Sequence, residues 1–562
     1  MVPVRSLLDL PDEIVHAILI YIPPVDLPSV QQVSRRFNRL SNEPFLWRYH
    51  CKTQFKYWDP SHNIRQKFKQ DVASVDWKRL CVHRLVVDRS ATRLLNSILE
   101  SQTGRIVRTQ QIVDLGYDAK DTLLRHCHAG DETEDVLARR YYSGSVLGCL
   151  HRTRAIEQWS KLKFGEDVPL ERALGAFDMY LLRDGEGDID EIAAVLDDLA
   201  REFRGLRPHF EALSPRKKAL ELASFVQENN LTGLESESAY RDLYNNFIGT
   251  ALQDEDHPSI PLVSVAIYCC IAKRLGIDAR PCGFPFHAIA MVYPPEGRTL
   301  DGMCISPEQA NSSNRLVDSP PNQGQGPMYL DPFYSNKETL TSDLESRLAV
   351  IGVAKDKYSM YLNSSPTSEI VLRTARNIFC SIQEFHKSII DTDIGNTRPP
   401  YSIRALADID DAFYAALWAS IVLGASLPSD RSHCGLISIL GRQCLPRIVK
   451  HFEHQNPTDV TLVERYILPM FCDEQRDEQR DNLLEATRVM RAGDVIPKKV
   501  VMRDSSTAVK YKVGQVFRHR RYGYLGVITG WDVECGMDQD WILQNRVDRL
   551  DRGRQQSFYH VL

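Results

Sequence analysis

Three residues in the middle of the chain have side chains suited to nucleophilic catalysis: Cys282, His287 and Asp331. His287 is the only ionisable residue in the apolar stretch GFPFHAIAMV, residues 283–292. A cysteine thiolate, an imidazole base and a carboxylate that orients the base are the parts of a cysteine-type hydrolase or transferase. The alternative interpretation is that His287 and Asp331 form a hydrogen-bonded pair in a protein core, without chemistry.

The elements that must position these residues are a buried helix and short strands. Ser259 is the expected N-cap of the helix, Pro261 suits its first turn, and Gly276 suits the position after its end. The residues between them are apolar almost all round, which predicts a helix inside the core. Residues 277–293 predict one or two strands, and residues 329–331 predict another.

This order of elements resembles the transglutaminase-like fold, and more closely its SirB1-type branch. The matching motifs are P-S-I-P-L-V-S, R-L-G-I, F-H-A and Y-L-D-P-F, and the resemblance covers residues 170–336. It implies that His287 stands where the family has its base and Asp331 where it has the orienting acid. A preceding helical pair, split at Gly185–Gly187, also fits this branch.

The nucleophile that the resemblance requires is missing from its expected place. Catalytic members carry a cysteine at the start of the buried helix, where this chain reads S-I-P-L-V. Cys269 and Cys270 lie about 12–14 Å further along a helix, and Ser264 would need far more activation than a thiol. Only a tight turn could bring Cys282 to His287. We therefore expect a transglutaminase-like domain used for binding, with catalysis through Cys282 as the alternative.

The first fifty residues predict a bundle of three short helices that is too small to cover its own apolar side chains. Pro11 suits a first helical turn, and Leu10, Ile14 and Ile18 repeat at helical spacing. Asp26 is the expected cap of a second helix, and a third is expected from Pro44. The second helix would present Leu27, Val30, Val33, Phe37 and Leu40 on one face.

These residues closely resemble the F-box. The leading L-P, the P-P-x-D-L, the V-S-R-R-F and the L-W-R stand at that family's spacing. The resemblance implies docking to the Skp adaptor of a cullin-based SCF ubiquitin ligase; the alternative is an ordinary helical cap. The residues implied to bind the adaptor are Leu10, Pro11, Ile14, Ile18, Leu27, Val30, Val33 and Trp47.

The last fifty residues predict short strands that form a small barrel, with Val513, Val516, Val527 and Ile528 suited to its interior. The motifs F-R-H-R-R-Y-G-Y-x-G-V-I, G-W-D and F-Y-H-V-L resemble the YccV-like domain, an SH3-like barrel also described as binding hemimethylated DNA. That family's barrel continues with further strands after F-Y-H-V-L, so the expectation is either a truncated chain or an incomplete barrel. The residues expected to form a surface that binds a client protein or nucleic acid are Arg518, Arg520, Arg521, Tyr522 and Trp531.

Charge and cysteine content narrow the classes of function. A net charge of −5 over 562 residues gives no overall field for nucleic acid or anionic membrane. From residue 510 onwards, nine Lys/Arg against six Asp/Glu is a small surplus of positive charge, which favours a protein ligand over DNA.

Thirteen cysteines without a C-x-x-C pair indicate a reducing compartment, cytoplasmic or nuclear. His126-Cys127-His128 has no partner motif at ligand spacing, so neither a metal nor a cofactor is expected.

Together these features predict a multidomain, mostly helical protein with α+β parts and no membrane span. The expected domains are an F-box at residues 5–52, a helical region at 53–166, a transglutaminase-like α+β domain at 167–350, a helical region at 366–500 and the barrel at 508–562. The expected function is a non-catalytic substrate receptor of an SCF ubiquitin ligase that recruits client proteins. The alternatives are a cysteine-type enzyme and a DNA-binding protein.

Overall fold

The computed structural model describes residues 10–561, except residues 184, 305–325, 394–402, 425–438, 472–476, 498–508, 521–522 and 538. The described chain is mostly helical with small antiparallel sheets, so the predicted fold class is confirmed. It divides into two compact units, residues 1–496 and 497–562, each with its own internal contacts. None of the helices within the described ranges is long and apolar enough to cross a membrane.

The first unit begins with short helices followed by long ones. Their bounds are α1 Asp12–Leu19, α2 Leu27–Gln31, α3 Arg35–Ser41, α4 Pro44–Gln54, α5 Ile64–Lys67, α6 Trp77–Glu100, α7 Arg105–Val113, α8 Lys120–Cys127 and α9 Val136–Lys163. The predicted helices at Pro11 and Pro44 are confirmed. The predicted single helix from Asp26 to Leu40 is wrong, because Ser34 is extended and its hydroxyl accepts the N–H of Phe37 at 3.2 Å. Ser34 thus caps a separate helix, α3.

The N-terminal helices do not complete their core alone. Val15 and Leu19 of α1 pack in one buried cluster with Trp77 and Cys81 of α6. The cluster also includes Phe55, which follows α4. The helices therefore bury their inner face against residues that lie beyond the predicted F-box boundary at residue 52, and the domain boundaries given above stay predictions.

The middle of the unit carries the four-stranded sheet and the helices around it. The bounds are α10 Leu170–Leu181, α11 Ile189–Leu206, α12 Pro215–Glu228, α13 Ile248–Gln253, α14 Pro261–Arg274, β1 Ala279–Pro281, β2 Ala290–Val292, β3 Met328–Leu330 and β4 Glu338–Thr339. The strands pair antiparallel in the order β1-β2-β3-β4. The nearly continuous apolar run makes α14 buried from Pro261 to Ala272, and Gly276 follows it with a positive φ of 77°.

Further helices complete the first unit. They are α15 Thr341–Val350, α16 Tyr358–Tyr361, α17 Thr367–Asp393, α18 Ile403–Leu423, α19 Ile439–His454, α20 Val460–Leu462 and α21 Glu478–Val495. The apolar α18 packs against α9, α17 and α19 and is central to the main core. A buried ion pair joins α9 to the residues before α20, with Arg152 donating to both carboxylate oxygens of Asp459 at 2.6 and 2.7 Å.

The second unit contains β5 Val516–Arg518, β6 Leu525–Asp532, α22 Gln539–Gln544 and β7 Phe558–Val561. Its strands form an antiparallel sheet in the order β5-β6-β7. Ile528 is buried as predicted, but the predicted interior positions Val513, Val516 and Val527 are exposed. Val516 and Val527 pair across β5 and β6, so strand alternation places both on the open side of the sheet, whereas Val513 lies before β5.

Candidate functional sites

The N-terminal helices expose apolar side chains that their own core leaves uncovered. On α1, Val15 and Leu19 face inwards, whereas Ile14 and Ile18 are 48% and 43% exposed. These two isoleucines are four residues apart and so lie on one stripe of the helix. Val33, between α2 and α3, is 68% exposed, and Tyr21 is also exposed. We call Ile14, Ile18, Tyr21 and Val33 the N-terminal apolar surface.

Two of the predicted adaptor-binding residues belong to the core instead. Leu27 is fully buried, and Trp47 is buried with its indole N–H donating to the Ser41 carbonyl at 2.8 Å. The Lys78 ammonium lies 5.5 Å from the Trp47 ring centroid. Leu27 and Trp47 therefore stabilise the bundle and are not available for direct contact with a partner. Of the remaining predicted residues, Pro11 is exposed and Leu10 and Val30 are partly buried.

An ion-pair network holds α1 against α3. Arg36 donates to the Asp12 carboxylate at 2.6 and 2.8 Å, and Arg39 donates to its second oxygen at 2.6 Å. Hydrogen bonds from Arg36 and then Arg39 lower the pKa of Asp12 below its usual value. Arg36 also donates to the Leu10 carbonyl. The stripe of Ile14 and Ile18 is therefore fixed on the bundle.

The antiparallel sheet brings His287 and Asp331 together. His287 lies shortly before β2, Asp331 follows β3 directly, and Ala290 of β2 pairs with Leu330 of β3. The His287 Nε2 atom is 2.7 Å from the Asp331 Oδ2 atom, and the Phe333 N–H donates to Asp331 Oδ1 at 3.3 Å. The imidazole is thus oriented by a carboxylate that is itself held by the following turn, as in a base–acid pair.

Aromatic side chains surround this pair on its open side. The Tyr334 ring stacks on the His287 ring, with centroids 5.5 Å apart and planes at 17°. Phe286 is 85% exposed with a positive φ of 63°, and the His287 N–H donates to the Pro285 carbonyl at 2.8 Å. Phe286 is therefore the centre of a strained three-residue turn. Tyr334 is 65% exposed, so this surface presents its ring against His287, and Phe286 adds an exposed ring at the preceding position in the chain.

The start of α14, where a transglutaminase-like nucleophile would be placed, offers buried hydroxyls instead. The N-cap residue is Ile260, and the predicted N-cap Ser259 makes no capping bond to the helix. Its hydroxyl lies 2.8 Å from the Ser264 hydroxyl and accepts the Gly233 N–H at 3.3 Å. Both serines are fully buried. These hydroxyls satisfy each other and are closed to a substrate.

Among the described residues, the cysteine candidates are buried thiols without a hydrogen bond to the imidazole. The chain does turn back after Cys282, whose N–H donates to the Ile289 carbonyl at 2.8 Å. The Cys282 thiol, however, donates to the Tyr361 carbonyl at 3.3 Å, and burial raises its pKa to about 11. Burial also raises the pKa of Cys269 and Cys270 on α14. Among the described residues, no cysteine lies within hydrogen-bond distance of His287.

The C-terminal unit exposes part of the predicted basic and aromatic surface. Arg518 at the end of β5 and Arg520 after it are exposed, and Trp531 on β6 is half-buried opposite Tyr559 of β7. Arg521 and Tyr522 lie outside the described residues. A described ion pair at the other end of β6 joins His560 to Asp532 at 2.8 Å.

The His126-Cys127-His128 motif is divided between core and surface. Cys127 is buried in the main core, and the His126 Nε2 atom lies 3.2 Å from the Thr92 hydroxyl. His128 is exposed. The three side chains do not converge on one point.

The exposed Phe286 and Tyr334 were not among the residues selected from the sequence. Their apolar neighbours in G-F-P-F-H-A and D-P-F-Y favoured strands and a core. A signal was available for Phe286, because the proline before it and the ionisable residue after it are typical of a turn. Nothing in the sequence distinguished Tyr334 from Phe333.

Comparison with known families identifies a domain type in each of three regions of the chain. A model of F-box-like domains matches residues 7–53, and a model of the transglutaminase-like superfamily matches residues 190–376. A model described as hemimethylated DNA-binding protein YccV like matches residues 509–562. F-box-like, transglutaminase-like and YccV-like domains are therefore present, as the sequence motifs predicted.

Whole-chain comparison finds relatives that match this chain along nearly its whole length. F-box only protein 21 from Homo sapiens is 20% identical over 599 residues, covering 99% of this chain and 84% of the relative. The proteins of that name from Mus musculus and Pongo abelii are 19% and 20% identical, with 99% of this chain covered. The chain is thus homologous to F-box only protein 21 along nearly its whole length. No solved structure shows significant similarity to it.

Proposed function

We propose that the chain is the substrate-recognition subunit of an SCF-type ubiquitin ligase. Its F-box-like domain and its homology to F-box only protein 21 support a substrate-recognition role. The observation that carries the proposal is the exposed stripe of Ile14 and Ile18 on a helix fixed by the Arg36–Asp12 ion pair. In this proposal the stripe docks on the Skp adaptor, which links the chain to the cullin.

The size of the apolar surface suits such an interface. A large aliphatic side chain stabilises a complex by about 1.5–3 kcal/mol when it passes from full exposure to full burial. Ile14 and Ile18 are about half exposed, so each would contribute roughly half of that amount. Val33 and Tyr21 would add to it at the edge of the contact. Several such side chains make a stable association possible without any buried charge pair.

The downstream domains would hold client proteins. The protein would act in the cytosol or nucleus, where cysteines stay reduced, as the described cysteines of this chain are. Phe286 and Tyr334 offer exposed aromatic contact area on the transglutaminase-like domain, and Arg518 and Arg520 offer charge on the YccV-like domain. The chain itself would perform no chemistry, because its role is to hold a client near the conjugating enzyme. The buried Cys282 thiol supports this non-catalytic interpretation.

Substitution of the exposed isoleucines tests the proposal. The Ile14→Asp/Ile18→Asp variant should bind the purified adaptor at least about 100-fold more weakly than the natural chain, because it removes apolar contact and adds charges that an interface must desolvate. Equilibrium binding of labelled adaptor gives the affinities. A Trp47 variant is unsuitable, since loss of this buried ring would open a cavity in the bundle.

The matched control is Val489→Asp/Val495→Asp, which adds the same two charges at exposed valines of α21. It should bind the adaptor with the natural affinity. Circular dichroism must show that the isoleucine double variant keeps its helical content. Undiminished adaptor binding by a folded isoleucine double variant would contradict the proposal. If the isoleucine double variant loses the adaptor as expected, affinity purification of the natural chain and of this variant can be compared in cells with the proteasome inhibited. Proteins that are ubiquitinated with the natural chain but not with the isoleucine double variant are the candidate clients.

A further inference from the structure

Three potential metal ligands converge at a position unrelated to the surfaces above. The His62 Nε2 atom lies 2.7 Å from the Asp118 Oδ2 atom, and the His83 Nε2 atom lies 3.5 Å from the same oxygen. All three ligand atoms lie within 4.8 Å of one another. We propose that His62, His83 and Asp118 bind a divalent transition-metal ion of the zinc type.

The three ligands come from separate segments that the fold brings together. His62 ends a short 3₁₀ turn, Pro60–His62, whose cap is Asp59. The Asp59 carboxylate accepts the N–H of Ser61 at 3.1 Å and its hydroxyl at 2.7 Å, which fixes the turn. His83 stands on α6, and Asp118 lies in a 3₁₀ turn before α8. A site assembled from distant segments explains why no ligand spacing is visible in the sequence.

The protein orients the aspartate for such a role. The Asp118 Oδ1 atom accepts the Asp59 N–H at 2.8 Å and an Arg84 N–H at 3.1 Å, so its second oxygen is the one directed to the histidines. Outer hydrogen bonds of this kind orient the ligands of metal sites. Arg84 also donates to Asp121 at 2.7 Å. Its single positive charge is thus shared between two carboxylates, which leaves the cluster favourable to a cation.

The distances require only a small adjustment around an ion. Ligand bonds of about 2.0–2.2 Å place neighbouring ligand atoms roughly 3 Å apart in common geometries. The His83 side chain is 52% exposed and can turn towards the other two, while Asp118 is buried and fixed. Two imidazoles and one carboxylate suit zinc and similar ions. Without an ion, a hydrogen bond joins His62 to Asp118, and the His83 ring meets the His62 ring edge-to-face with centroids 5.4 Å apart.

A neighbouring cavity leaves room for further ligands. It has a volume of about 440 Å³, and its polar lining comprises His62, His83, Gln70, Ser74 and Asp76 together with the cationic Lys67 and Arg79, which suit an anionic further ligand. Three protein ligands and such an opening would leave at least one coordination position to water or to a small anionic group. The ion would also join the segment after the N-terminal helices to α6 and to the Asp118 turn, and would so hold the N-terminal helices against the rest of their unit.

Metal binding by the purified, tag-free full chain tests the inference. After treatment with a chelator and its removal, the chain should take up about one Zn²⁺ with a dissociation constant below roughly 10 μM, measured in competition with a chromophoric chelator. His83→Ala should weaken binding by at least about 100-fold, since even outer-shell changes cost 10–100-fold. His83 is half exposed, so this variant should fold. His128→Ala, at another exposed histidine, is the control and should bind as the natural chain does.

Cobalt distinguishes this site from adventitious binding at thiols. Co²⁺ bound to two imidazoles and a carboxylate should show weak visible bands without a sulfur-to-cobalt charge-transfer band, and His62→Ala should abolish them. Zinc should raise the Tm of the natural chain but not of His83→Ala. Equal zinc affinity of natural chain and His83→Ala, a sulfur charge-transfer band, or no uptake at 100 μM Zn²⁺ would each overturn the inference.

Discussion

The His287–Asp331 pair joins two residues that are 44 positions apart in the chain, and it leaves the imidazole in contact with aromatic rings. The geometry orients the base as a catalytic pair would, but the atoms that a base would activate are absent from its described surroundings. Cys282 is directed into a separate apolar cluster with Ile289 and Met291. At the scale of single residues, the described site is an oriented imidazole stacked on the exposed Tyr334 ring, with no cysteine of the described residues in hydrogen-bond distance.

The reactivity of Cys282 is the residue-level prediction. Burial raises the pKa of its thiol to about 11, so at pH 7.5 only a minute fraction is thiolate. Iodoacetamide should therefore modify Cys282 at least about 100-fold more slowly than the exposed Cys304. Peptide mapping by mass spectrometry, over a time course, gives both rates in one sample.

The control for this measurement is the same chain in denaturant, in which the two cysteines should react at similar rates. Preferential labelling of Cys282 in the folded chain near neutral pH would contradict the prediction. It would also revive the cysteine-type enzyme, since a thiolate of that kind needs a nearby base.

Among the elements, the contact between α10 and α13 buries a carboxyl group. Asp178 on α10 accepts the Thr250 N–H at 3.0 Å through one oxygen, while its Oδ2 atom has neither solvent contact nor a partner among the described residues. Burial raises the pKa of Asp178 from 3.8 to about 7. The contact is therefore most stable when this carboxyl group is protonated.

The resulting pH dependence can be measured with Asp178→Asn, a neutral side chain of the same shape. The folded state binds the proton more tightly than the unfolded state, so the natural chain loses stability as pH rises from about 4 to 7. The variant lacks this loss. Between pH 5 and pH 8, the free energy of unfolding of the variant should rise by about 2–4 kcal/mol relative to that of the natural chain. Thermal unfolding should show this as a Tm difference that widens with pH. A difference independent of pH would show that Asp178 is ionised in the folded chain.

Element boundaries followed from the sequence wherever a local signal decides them. Pro261 and Gly276 bracket α14, and the glycine pair near residue 186 separates α10 from α11. The break at Ser34 was missed because the apolar spacing from Leu27 to Leu40 continues across it. The Ser34 N-cap is a local signal, but the continuous apolar spacing outweighed it. Apolar spacing also does not show which face the fold buries, and this limit explains the misplaced Val513 and Val516.

For the whole molecule, the sequence predicted the domain types but not which side chains of the N-terminal helices would stay free. Leu27 and Trp47 could be assigned only once Trp77 and Cys81 of α6 were seen to complete their core. Helical periodicity placed Ile14 and Ile18 on one stripe, but it did not show that Leu27 and Trp47 would be covered. The three-dimensional contacts separate the inward residues from Ile14 and Ile18, on which the proposed role depends.

The measurement that tests this account most directly is hydrogen–deuterium exchange of the full chain with and without purified Skp adaptor. Binding should slow exchange in peptides that cover α1 and the segment from α2 to α3, because burying Ile14, Ile18 and Val33 fixes these short helices. Peptides from β5 and β6 should exchange unchanged. Saturating adaptor that leaves the exchange of α1 unaltered, or that protects only other parts of the chain, would contradict the central claim.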